Sequence, residues 1–255
     1  MNAKQIKNQK LHRSHTSAME WGTRSCLLLM MVALVGCKAM PAPPAGFIDS
    51  RVPMAQRADL PFDRVWVRPG VSLQGYDKIA IAPIDTRYLM QQTWWKQMVN
   101  NQTIQRDARN LANYFHRSLI GAFSSDPNNR LRVVKNPRGR GTLVLELAIV
   151  EVTPTKAALN IASYAASFAG AAIRTQTSGT IAFEARVRDG SSGKILAQFA
   201  DRESGQASLV NLKNFSWYGH AIGIIHMWSW QMVRSANKRP GEVVYDRSAF
   251  TLKPW

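Results

Sequence analysis

The chain has 255 residues, with 33 lysines and arginines against 16 acidic residues and a formal net charge of +17. An apolar fraction of 45 % over that length is enough for one domain with its own core. The basic balance favours anionic partners, but there are no RNP-like aromatic motifs, zinc knuckles or helix-turn-helix cues, so nucleic acid is excluded as the expected partner.

Residues 1–24 carry Lys4, Lys7, Lys10, Arg13 and Arg24 against one acid, Glu20. An apolar run from Ser25 to Gly36 follows. It is too short to span a bilayer and fits the apolar core of a signal peptide. It closes on Leu34-Val35-Gly36-Cys37, which has the form of a bacterial lipobox. The expectation is a cleaved lipoprotein signal peptide over 1–36, with diacylglycerol and acyl chains on Cys37 holding the protein on a membrane. Lys38 at the next position favours the outer membrane, with the domain facing the periplasm. Met19 offers a second translation start with a shorter basic region. Five of the 33 basic residues and one of the 16 acids precede Cys37, leaving 28 and 15 and a net of +13. With Cys26 removed and Cys37 acylated, no thiol remains for a disulfide or a metal. In that compartment the anions at hand are lipid head groups, lipopolysaccharide phosphates and peptidoglycan carboxylates.

Residues 37–46 comprise the lipidated cysteine and a Pro/Ala tether, expected to hold the domain off the membrane. Residues 47–255 form the single domain. The stretch 47–74 reads as irregular, punctuated by Pro53, Pro61 and Pro69. A strand ending at Pro83 is expected around Ile79 and Ile81. Ile104, Ala108, Leu111, Phe115, Leu119 and Ala122 make one helical stripe, ended by Asp126-Pro127-Asn128-Asn129. A short strand over 131–134, a loop at Arg138-Gly139-Arg140-Gly141 and a long strand over 142–153 follow. In the long strand, Leu143, Leu145, Leu147 and Ile149 share a side.

Residues 156–173 are rich in small side chains. As a helix, Ala162, Ala166 and Gly170 form one ridge, suited to packing on the sheet or to self-association. Strands over 180–188 and 194–202 form a hairpin, with Val187 opposite Ile195, Ala185 opposite Ala197 and Phe183 opposite Phe199. Gly193 then takes positive φ in the turn. Residues 217–236 read as a second helix, and Val243-Val244-Tyr245 as an edge strand. The order predicts an α+β two-layer sandwich, with a mostly antiparallel sheet and helices on one face.

Several segments, in this order, resemble a bacterial lipoprotein family, domain of unknown function 3313. They are residues 76–83, the small-residue run ending at Ser178-Gly179, residues 184–197, residues 201–205 and the aromatic stretch 215–219. The resemblance implies an envelope lipoprotein and supplies no catalytic residue. Similarity to other α/β lipoproteins of envelope assembly machines is at the level of fold and carries no function.

Ser191-Ser192-Gly193-Lys194 matches the S-x-x-K string of penicillin-interacting enzymes. Its place in a hairpin turn breaks the helical geometry that chemistry needs. The histidines His116, His220 and His226 lack metal-ligand spacing, and no cofactor is implied. Glu146 and Glu184 lie on strands that could bring them together, and paired strand carboxylates can do acid–base work; the expected role is an ion pair with Arg186 or a solvated face. Arg138 and Arg140, flanking a glycine, are candidates for holding phosphate or carboxylate. Trp94, Trp95, Trp217, Trp228 and Trp230 are candidates for a partner or membrane surface. The reading is a non-catalytic lipoprotein that binds an envelope protein or anionic component through a basic, tryptophan-bearing surface. The competing readings are an enzyme acting on envelope lipid or glycan, and a carrier with an apolar cavity.

Overall fold

A computed structural model of the chain describes residues 40–91, 102–153, 179–205 and 218–246. Cys37 and the lipobox, Trp94, Trp95, the ridge of Ala162, Ala166 and Gly170, and Trp217 lie outside the described residues. Residues Ala39–Trp255 make a compact unit with its own buried core, the property of a chain that folds by itself.

The described strands are β1 (Arg64–Val67), β2 (Lys78–Ile81), β3 (Arg132–Val133), β4 (Thr142–Thr153), β5 (Gly179–Asp189) and β6 (Ile195–Gly205). The described α-helices are α1 (Gln102–Ser124) and α2 (Gly219–Asn237). The strands form one sheet in the order β1-β6-β5-β4-β2-β3. β2 runs parallel to β3 and β4, and the other pairings are antiparallel. The α+β architecture with a mostly antiparallel sheet is therefore present.

The stripe on α1 packs as its spacing requires, with Ile104, Ala108, Leu111, Phe115, Leu119 and Ala122 all buried. It meets the apolar side of β4 and an aromatic cluster from β5, β6 and α2. In that cluster Phe183 stands edge-on to Trp228 at 4.7 Å between centroids. A register shift between Ile149 and Glu151 returns Val152 to the same core.

Four expectations are corrected. β1 lies within the stretch read as irregular. It is four residues long and exists through its antiparallel pairing with β6. The hairpin closes on Gly193 at φ +70° as expected, but its register is displaced by two residues. Val187 faces Ala197, Ala185 faces Phe199 and Phe183 faces Asp201. One residue of the displacement comes from the turn, which closes with the Asp189 N–H donating to the Lys194 carbonyl, and the other from a bulge beside it, where Arg188 pairs with Ile195 and Leu196 is the extra residue. Beyond the bulge the net shift of two preserves which side chains share a face, but Ile195 falls opposite Arg188 on the other face and Leu196 joins the core in its place. Residues 243–245 form no strand; Val244 is buried and its N–H donates to the Asp59 carbonyl.

The fourth correction concerns the tether, whose second half is seated on the domain. The sheet face away from the helices carries Ala148, Val150, Ala182 and Ala200, and Phe47 and Ile48 cover it, with Ala42 and Ala45 alongside. Glu184, 1 % exposed, fixes this strap. Its Oε1 accepts the Ala45 N–H (2.8 Å), and its Oε2 accepts the N–H groups of Phe47 (2.9 Å) and Ile48 (3.2 Å). Arg186 lies over the Phe47 ring at 4.7 Å, and Arg202 Nη1 donates to the Met40 carbonyl. The strap thus belongs to the fold from Met40 onward.

Candidate binding surface

Trp228 and Trp230 are two residues apart on α2, so a helix points them to opposite sides. Trp228 is fully buried, and its Nε1–H donates to Asp201 Oδ2 at 2.7 Å. It is a core residue, which corrects its place among the surface candidates. Asp201 arrives beneath it because of the hairpin bulge, and its other oxygen accepts the Asp63 N–H.

Trp230 is half-buried on the outer side of α2 and borders two open depressions. The larger, about 730 Å3, lies between the turn after α1, the end of α2 and the segment that follows it. Arg130, Arg234 and Arg239 face it, against Asp126 and Glu242. The smaller, about 370 Å3, runs between α1 and α2 and is lined by Tyr114, Arg117 and His226. The helices are pinned together there by the Ser229 hydroxyl, which donates to Ser118 at 2.9 Å.

The segment after α2 is held in place. Lys238 pairs with Asp59 at 3.0 Å, and Gln231 Nε2 donates to Asp246. The Arg57 guanidinium, aided by Lys238, holds the Asp59 carboxyl well below the usual range. Tyr245, 73 % exposed, is left at the edge of the larger depression.

Arg138 lines a separate depression of about 420 Å3 with Arg188, but Glu146 and Asp189 line it too. Glu146 is paired with both Arg186 and Arg188, the ion pair expected of it, whereas Glu184 is buried with Arg64 at 3.8 Å and its oxygens on the strap N–H groups. Arg140 is exposed, and its carbonyl accepts from Lys78 Nζ. Arg138 and Arg140 therefore do not converge on one depression.

The S-x-x-K string lies in the hairpin turn, as expected. Ser191 and Ser192 both donate their hydroxyls to Asp189 Oδ1 at 2.7 Å. These hydroxyls, with the Ser192 N–H, hold the Asp189 carboxyl far below its ordinary value. Such an arrangement binds the serines and does not activate them.

His220 is buried against paired residues Gly179 and Gly205, and its Nε2 lies 3.3 Å from the Thr180 carbonyl. Burial lowers its pKa to about 4, so the ring is neutral at pH 7. His116 Nε2 meets the Ile81 carbonyl at 3.1 Å, and His226 is exposed. The three histidines are therefore dispersed. Among the described residues no group of three His, Cys, Asp or Glu side chains is placed to hold a metal, and no helix is long and apolar enough to cross a membrane.

Solved structures that match part of the chain include the PelC dodecamer from Paraburkholderia phytofirmans. It is 12 % identical with a TM-score of 0.37, covering 66 % of this chain and 96 % of that one. The hypothetical protein CT253 from Chlamydia trachomatis is 13 % identical with a TM-score of 0.36, covering 62 % and 95 %. Protein XCC0632 from Xanthomonas campestris is 10 % identical with a TM-score of 0.36, covering 67 % and 90 %. No curated protein matches the chain. The model of a family described as a protein of unknown function (DUF3313) matches residues 44–232, a span that starts within the strap and ends in α2, and the chain belongs to that family.

Proposed function

We propose that the protein is a non-catalytic lipoprotein, anchored on the periplasmic face of the outer membrane through acyl chains on Cys37. It binds an envelope protein or an anionic envelope component through the outer side of α1 and α2. The observation that carries this reading is Trp230, half-buried between two depressions with Arg117 on one side and Arg234 and Arg239 on the other. Aromatic rings beside guanidinium groups suit recognition of an anionic, partly apolar surface. The docked strap adds a constraint on the anchor. Only Lys38 and Ala39 lie between Cys37 and Met40, so three Cα–Cα steps keep Met40 within about 11 Å of the acylated residue.

The test is photo-crosslinking in intact cells from a photoreactive residue at position 230. A second probe at Arg51, whose side chain is 89 % exposed on the strap, is the control. The expected result is a discrete crosslinked species from position 230 alone, lost with Arg234→Glu and Arg239→Glu together. Equal labelling from both positions, or none from 230, overturns the reading.

A further inference from the structure

An apolar cavity of about 120 Å3 lies in the core where α1 and α2 end. Phe62, Phe123, Leu131, Leu145, Phe199 and Met232 are among its walls, and half-buried Leu60 and Leu73 stand toward the solvent side. Among the described residues two polar side chains line it, Arg130 and Ser235. Arg130 Nη1 donates to the carbonyls of Leu73 (3.1 Å) and Tyr76 (3.4 Å). Its Nε and Nη2 are buried with no hydrogen-bond partner, and so is Ser235 Oγ. Among the described residues Arg130 makes no ion pair. Asp126 is its nearest electrostatic influence, but the Asp126 oxygens are engaged by Asn128 and Asn237.

Those atoms define a ligand. Nε–H and the adjacent Nη2–H point the same way and form the edge of a guanidinium that takes a carboxylate through two parallel hydrogen bonds. Buried donors left unmade are costly, and those on a charged group most of all. The cavity that Arg130 lines is otherwise walled by hydrocarbon and the Ser235 hydroxyl. An apolar cavity of roughly 150 Å3 stays dry and accepts benzene, so this one suits a skeleton of about six carbons.

We propose that the cavity is a binding site for a small apolar monocarboxylate. Its hydrocarbon part fills the space between the sheet and the helix ends, its carboxylate sits on the Nε–Nη2 edge of Arg130, and the Ser235 hydroxyl donates to it. This site is independent of the Trp230 surface. Arg130 borders both, but the surface is read by crosslinking from position 230 and the cavity by a soluble ligand.

The experiment is an NMR titration of residues 39–255 with hexanoate, hexanol and hexylammonium. Hexanoate is expected to bind with shifts confined to the cavity walls, about tenfold or more tighter than hexanol, and hexylammonium not to bind. Arg130→Met should weaken hexanoate about tenfold or more and leave hexanol unchanged. Should Arg130→Met not fold, Arg130→Lys supplies the same reading, because it keeps the charge and removes the fork. Ala236→Leu, which fills the cavity, should weaken both ligands. Hexanoate binding no tighter than hexanol, hexanoate affinity insensitive to the folded Arg130 variant, or no shift at the cavity walls overturns the proposal.

Discussion

Glu184→Gln tests the seating of the strap. In the native protein the carboxylate accepts three backbone N–H groups through two oxygens, with Arg64 Nη2 at 3.8 Å. A carboxamide has one accepting oxygen, and its NH2 must face either the Ala45 N–H or the Phe47 and Ile48 pair. At least one buried donor is then opposed by another donor. An orphaned buried donor costs about 1–3 kcal/mol, and the surviving bonds lose their charge assistance. The expected loss is therefore about 2–4 kcal/mol, borne first by the strap. The assay is hydrogen exchange of the Phe47 and Ile48 amides together with urea unfolding. Exchange should accelerate by about 30- to 1,000-fold. Exchange unchanged at both amides, with stability within about 0.5 kcal/mol of the parent, would refute the reasoning.

Three further outcomes are expected. His220 is held neutral with a pKa of about 4, below its unfolded value of about 6.5. Between those values the unfolded chain binds the extra proton, so stability falls as pH drops from about 6.5 toward 4, by up to about 3 kcal/mol. Urea midpoints across that window should show this slope, and His220→Gln should flatten it. A Cβ at Gly179 would stand 2.5 Å from the His220 ring, so Gly179→Ala should cost about 1–3 kcal/mol. In a His220→Ala background that penalty should largely vanish in thermal melts; an additive double mutant counts against the contact. Trp228→Phe removes the donor to Asp201 Oδ2 and should lower stability by about 1–3 kcal/mol. Trp230→Phe should stay within about 0.5 kcal/mol in the same urea titrations.

Periodicity made the long elements legible before any coordinates. The α1 stripe and the limits of β4 follow from apolar spacing, because each element has one face on the core. β1 was not legible. Arg-Val-Trp-Val is too short to show a period, and its existence depends on β6. The hairpin faces follow from alternation beyond the bulge, while the register and the places of Ile195 and Leu196 do not, since turn closure and bulge leave no mark on apolar alternation. In the sequence the strap reads as a linker, because it docks through backbone N–H groups that have no sequence signature. Trp228 and Trp230 were grouped although helical spacing separates them, and the structure divides them into core and surface. Arg130 had no signal at all, because its meaning depends on the cavity that residues distant in sequence enclose around it.

In the proposed function an anchor on Cys37 sets the compartment, and with it which anions and partners the Trp230 surface would meet. The most direct measurement is the mass of the N-terminal peptide of the protein purified from membranes. The account predicts a chain that begins at Cys37 and carries a diacylglyceryl thioether. A chain that retains residues before Cys37, or begins there with a free thiol, contradicts it.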